Sequence, residues 1–210
     1  LAPPAWAADP PKVLRLGLPD IALLDPQQIT DLYSRRVADV IFEGLYQFDY
    51  LASPARVVPN TAAALPEITD GGRTWTIRIR PGILFADDPV FKGKARELVA
   101  ADYVYSIKRR LDPNLKLGGE PALTDLVAGA RPVVDAARKS GRFDYDANID
   151  GLQAVDRHTL RLKLTAVDYT VNPAVGYPSV TGPIDQATPV NHVLPAWDLI
   201  CGQAVAVGIL

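Results

Sequence analysis

Residues 74–80 alternate without a break. Trp75, Ile77 and Ile79 fall on one side of an extended chain, with Thr74, Thr76, Arg78 and Arg80 on the other. Period-two alternation of this kind marks a strand buried on one face. Asp70-Gly71-Gly72 directly before it supplies residues that tolerate a tight turn. Together they predict an antiparallel hairpin, with Pro66 confining the preceding strand to a sheet edge. A second hairpin is expected later, where Leu152, Ala154, Leu160, Leu162 and Leu164 share one face and Asp156-Arg157-His158 turn the chain. Apolar hairpin faces need a covering layer, and helical segments between the hairpins can provide it.

The spacing predicts a helix from Asp31 to Leu45. Tyr33, Val37, Val40, Ile41 and Leu45 form its apolar stripe, and Arg35, Asp39 and Glu43 line the opposite side. Thr30 or Asp31 can accept its first free amides. A shorter helix is expected from Asp102 to Leu111, with Val104, Ile107 and Leu111 facing a core. Asp102 sits near its positive end, Lys108, Arg109 and Arg110 near its negative end, and Pro113 stops it. Two more short helices are expected near Ala122–Ala128 and Pro132–Ser140, the second closed by Gly141 as a left-handed cap. Residues 12–18 alternate with Leu14, Leu16 and Leu18 on one face and read as an opening strand. Antiparallel hairpins and short helices in mixed order make an α+β fold rather than a βαβ repeat.

Both ends depart from this pattern. Residues 1–11 are rich in Pro and Ala, and Ala5-Trp6-Ala7 before Ala8 has the small-x-small form that a signal peptidase accepts. They read as a signal-peptide remnant and linker, with cleavage expected between Ala7 and Ala8. Residues 171–210 contain no Lys, Arg or Glu, and only Asp185 and Asp198 are charged. Prolines at 173, 178, 183, 189 and 195 recur too often for a helix or a central strand. This tail reads as an aberrant proline-rich segment, with frameshift or truncation of the reading frame as the expected origin.

Candidate chemistry is sparse. A single cysteine, Cys201, excludes an internal disulfide framework and a multi-cysteine zinc site. A net charge of −2 gives no global field to recruit nucleic acid. Asp87 and Asp88 are adjacent carboxylates, but strand neighbours point to opposite faces and cannot share one bond. Asp146-x-Asn148-x-Asp150-Gly151 opens like a calcium loop, yet Arg157 stands where the twelfth position needs a bidentate glutamate. His158 lies in a turn with no serine or cysteine nucleophile motif beside it. The basic run from Lys92 to Arg110 is interleaved with Glu97 and Asp102 and reads as a solvated face. No catalytic residue, metal ligand or cofactor is assigned, and the chain is expected not to be an enzyme.

With Leu24-Asp25-Pro26, Phe42-Glu43-Gly44-Leu45-Tyr46, Thr74-Trp75-Thr76-Ile77-Arg78 and Ala101-Asp102-Tyr103-Val104 in that order, the chain from Val13 to about Tyr169 resembles bacterial extracellular solute-binding proteins of family 5, the oligopeptide-, dipeptide- and nickel-binding components of ABC importers. The resemblance is carried by Leu24-Asp25-Pro26, then Phe42-Glu43-Gly44-Leu45-Tyr46, then Pro59-Asn60-Thr61-Ala62. It continues through Pro66, Thr69-Asp70-Gly71 and the run from Thr74 to Gly82, then Phe85-Ala86-Asp87-Asp88. The stretch from Ala101 to Arg109, Asp112-Pro113, Gly151–Asp156 and Thr159–Leu164 complete it. Two positions depart: Asp87-Asp88-Pro89 stands where the family usually has His or Ser followed by Asp-Gly, and Val99 replaces a capping threonine.

The resemblance implies a partial first lobe of a two-lobe periplasmic binding protein fold over residues 12–170. It implies capture of a peptide or similar solute for the ABC permease subunits of the inner membrane, from the periplasm, by a protein monomeric at full length. Ile29, Thr30, Asp31 and Leu32, after Leu24-Asp25-Pro26, are the implied ligand-binding residues, with a plain helix cap as their other reading. A periplasmic structural or interaction module without a transport role is the alternative, and a hydrolase a more distant one.

Overall fold

The computed structural model describes residues 17, 20–22, 24–25, 27–29, 31–49, 51–53, 57–86, 88–115 and 120–166, with the backbone of 171–172 and 177–178. The expected opening strand at 12–18, Thr30, Asp87 and nearly all of the tail therefore lie outside the described residues.

Helix α1 (Leu32–Ile41) comes first, followed by a small antiparallel pair, β1 (Tyr46–Phe48) and β2 (Val57–Pro59). Strands β3 (Glu67–Thr69) and β4 (Thr74–Arg78) then form the first expected hairpin. Helices α2 (Ala100–Leu111), α3 (Glu120–Leu126) and α4 (Ala130–Ser140) follow, and β5 (Leu152–Asp156) and β6 (Thr159–Lys163) close the unit. The main sheet is antiparallel throughout, in the order β3-β4-β6-β5. A two-residue ladder, β7 (Val171–Asn172) with β8 (Tyr177–Pro178), lies within the tail.

The alternation of residues 74–80 resolves as expected. Trp75 pairs with Leu162 and Ile77 with Leu160 across β4 and β6, and Ile77 and Leu160 are both fully buried. Helix α2 lies against β5 and β6, so Tyr103, Ile107 and Leu111 complete the same core. The buried apolar cluster runs from Leu45 to Leu164 and, among the described side chains, includes none from α1. Pro66 precedes β3, which is an edge strand as its proline predicts. In the β3–β4 turn, Asp70, Gly71 and Gly72 all have positive φ.

Four local expectations change. Helix α1 stops at Ile41 instead of Leu45, because Phe42 is extended and the chain turns to deliver Leu45 to the core. Among the described side chains of α1, Ser34 and Ala38, one turn apart on one face, are buried, while Tyr33 and Ile41 of the expected stripe are exposed and Val40 lies outside the described side chains. Small residues on that face leave room for residues 20–22, where the Ala22 amide donates to Ser34 Oγ at 3.2 Å. Ala154 is exposed because a register shift between Ala154 and Asp156 bends the end of edge strand β5 away from the core. The basic run is solvated at Lys92 and Lys94 but not throughout. Lys108 is buried and Arg96 and Arg109 bind carboxylates inward.

Candidate functional site

The stretch from Asp25 to Asp31 leads into α1 and carries the implied ligand-binding residues. Asp31 is the helix cap: its carboxylate accepts from the Tyr33 and Ser34 amides at 3.0 and 2.8 Å. The Ser34 hydroxyl, together with those amides, holds the Asp31 carboxyl below its usual range. Ile29 is half-buried, and Leu32 opens α1.

The stretch is fixed to α2 from its other end. Asp25 is buried, and both of its carboxylate oxygens face the Arg109 guanidinium, with Nη1 at 2.9 Å. The Gln27 amide and Gln28 Nε2 donate to the same carboxylate at 3.1 and 3.0 Å. Gln27 Nε2 reaches the Ser106 carbonyl at 2.9 Å, and its Oε1 accepts from Arg109 at 2.9 Å. Burial pushes the Asp25 carboxyl up, but the Arg109 bond, the Gln27 amide and the Arg109 charge outweigh it and leave it lowered. The ion pair therefore stabilises the fold at neutral pH and weakens as pH falls through that depressed value.

The remaining family-like residues hold the scaffold. The Gly44 carbonyl accepts from Asn60 Nδ2 and Thr61 Oγ1 at 3.1 and 3.0 Å. Thr61 Oγ1 lies 2.6 Å from the buried Tyr103 hydroxyl, whose proton burial holds more tightly than usual. At the start of α2, where Val99 offers no capping oxygen, the Asp102 carboxylate accepts from the Val99 amide at 2.9 Å and is gripped by Arg96. Tyr145 donates to Asp112 at 3.0 Å. Lys108 Nζ donates to the carbonyls of Tyr145 and Ala147 at 2.7 and 2.8 Å.

Glu97 joins two loops. It accepts from the Gly82 amide at 2.8 Å, from Arg157 at 2.7 Å, and lies 3.2 Å from His158 Nε2. The Gly82 amide and Arg157 pull its carboxyl down to about 2. Its contribution is complete above the ordinary glutamate value and is lost as pH falls from there toward about 2. His158 is thus a half-buried structural partner, and Arg157, which occupies the failed calcium position, serves the same junction.

A cavity of about 510 Å³ lies elsewhere, between α2, β5 and residues 146–149, lined in part by Val104, Lys108, Asn148, Gln153 and Arg161. None of Ile29, Asp31 or Leu32 borders it. Among the described residues no group of three or more His, Cys, Asp or Glu could hold a metal ion. The sequence reading missed the Asp25–Arg109 pair, whose partners lie 84 residues apart. The only signal was one acidic residue before Pro26 and a surplus of arginine at the end of α2.

The comparisons agree with this scaffold. A 44-residue stretch is 59% identical to 2-methylfumaryl-CoA isomerase of Chloroflexus aurantiacus, covering 21% of this chain and 11% of that protein. The periplasmic oligopeptide-binding protein OppA of Escherichia coli is 25% identical over 154 residues, 70% of this chain and 24% of that one. The solved Escherichia coli murein tripeptide binding protein MppA superposes with a TM-score of 0.52 at 26% identity, over 71% of this chain and 26% of its own. The chain thus spans about a quarter or less of each relative. The profile described as bacterial extracellular solute-binding proteins, family 5 Middle, matches residues 56–193. That match covers more than half of the chain, which therefore belongs to the bacterial extracellular solute-binding proteins of family 5.

Proposed function

We propose that residues 12–170 form the N-terminal part of lobe one in the substrate-binding component of an ABC importer, which captures oligopeptides or similar solutes for a membrane permease. The observation that carries this reading is the family match across most of the described fold, joined to relatives named for oligopeptide and murein tripeptide binding. Ile29, Thr30, Asp31 and Leu32 are proposed to meet the solute through their backbone. Recognition by main-chain groups resembles strand addition, which tolerates varied side chains.

A binding role is proposed in place of catalysis. Glu97, Asp102, Asp25 and Lys108 are all held in structural bonds, which leaves them poorly placed for proton transfer. The 44 residues shared with an isomerase amount to 11% of that protein, less than a self-sufficient domain needs. The tail, 171–210, is proposed as a segment apart from the lobe on its loss of Lys, Arg and Glu.

A half-site open to water keeps few of a closed receptor's bonds, while association itself costs an estimated 4–15 kcal/mol. Calorimetric titration of the 210-residue chain with a di- to pentapeptide library should therefore give no saturable heat in the micromolar range. Saturable micromolar binding by a monomer would overturn the half-site reading.

Export to the periplasm is proposed from Ala5-Trp6-Ala7 and from the periplasmic Escherichia coli relative. Sequencing the mature N-terminus of the native gene product should find Ala8 first. A cytoplasmic product retaining Leu1 would contradict it.

A further inference from the structure

We propose that Arg109 is a positioning residue for solute capture: by gripping Asp25 and Gln27 it fixes residues 27–31 against α2. The inference rests on the proposal that Ile29–Leu32 meet the solute. Ile21 and Leu24 on the approach to this stretch are exposed, and among the described side chains none of α1 joins the buried apolar cluster. Its attachment to α2 is polar, through the Arg109 fork on Asp25, the Arg109 bond to Gln27 Oε1 and the Gln27 bond to the Ser106 carbonyl.

The Asp25 carboxylate also shapes the turn itself, by accepting from the Gln27 amide and from Gln28 Nε2. Turn and anchor are therefore one unit, and moving the carboxylate moves the backbone that leads to Ile29. A guanidinium suits this task because its planar fork can meet both carboxylate oxygens and a third acceptor at once, which a lysine cannot do. Asp31 caps α1 at the far end, so Gln27 and Asp31 are each held by side-chain bonds.

The test is amide NMR of the full 210-residue chain titrated with trialanine to about 20 mM, a range suited to weak binding. In the parent chain the amides of residues 29–32 should shift. In the Asp25→Asn/Arg109→Met double variant, which leaves no lone buried charge, those shifts should shrink at least about fivefold. Amides of Ile77, Leu160 and Leu162 should keep their positions, showing an intact core. Arg109→Lys should give an intermediate response, and it replaces the double variant should that one fail to fold. Shifts at 29–32 as large in the variants as in the parent would overturn the role of Arg109 and leave the binding stretch standing. No shift at 29–32 in the parent would overturn the binding stretch, and the inference with it.

Discussion

Replacing Ile77 by alanine should lower stability by about 2–5 kcal/mol. Ile77 is fully buried at the centre of the main sheet, directly opposite the equally buried Leu160. Truncation removes methyl and methylene groups from water-free packing and leaves a cavity that strands on both sides of β4 restrain from collapsing. A whole domain is stable by only about 5–15 kcal/mol, so one substitution would take a large share. Urea unfolding followed by fluorescence, with the buried Trp75 as a reporter, measures it. Leu51→Ala, at a side chain 87% exposed, should change stability by less than about 0.5 kcal/mol. A loss that small at Ile77 would place this face in solvent.

Gly151→Ala should destabilise by about 3 kcal/mol or more, at or above the upper end for overpacking. A Cβ there would stand 2.5 Å from the Lys163 carbonyl oxygen, 2.6 Å from the Ala128 oxygen and 2.7 Å from the Ala128 nitrogen. All three obstacles are backbone, so no side chain can swing aside. They also belong to one hydrogen-bonded ring: Gly151 donates to Ala128, Ala128 to Lys163, and Lys163 to Gly151, at 2.8, 3.0 and 2.8 Å. Making room would stretch bonds that tie the α3–α4 junction to β6. Gly141 offers a contrast, since its cost is conformational: its φ is 72° and nothing lies within 4 Å of an added Cβ. Gly141→Ala should cost about 1–2 kcal/mol. Equal losses at the two glycines in the same urea experiment would contradict this packing.

These two positions also mark what the sequence revealed and what it hid. The burial of Trp75, Ile77 and Ile79 follows from alternation alone, a local property that tertiary context had no reason to override. Gly151 appeared as the glycine of a failed calcium loop and in a family motif, but its packing role was hidden, because close approach of distant backbones leaves no local trace. The turn of α1 was misjudged for a related reason. Its apolar residues suggested one buried face, but Ser34 and Ala38 are buried because another segment passes close by.

Charge was the least readable feature. Lys108 and Arg109 stand side by side near the end of α2, as the helix dipole favours, and nothing local distinguishes them from solvated lysines and arginines. Their partners, the carbonyls of Tyr145 and Ala147 for one and Asp25 for the other, are remote in sequence. The motifs shared with the family proved mostly structural. Gly44, Asn60, Thr61 and Tyr103 form one hydrogen-bonded junction with Thr61 and Tyr103 buried, so the resemblance identified a scaffold more securely than a ligand. For the same reason Ile29–Leu32 were named only by analogy with the family.

The most direct measurement is an exchange of parts. Residues 20–166 of this chain would replace the corresponding segment of the Escherichia coli murein tripeptide binding protein, whose fold it matches at a TM-score of 0.52, and the chimera would be titrated calorimetrically with murein tripeptide. If the segment is a working piece of lobe one, the dissociation constant should stay within about tenfold of the parent's, a change of no more than about 1.4 kcal/mol. A chimera that folds cooperatively yet gives no saturable binding would contradict that assignment.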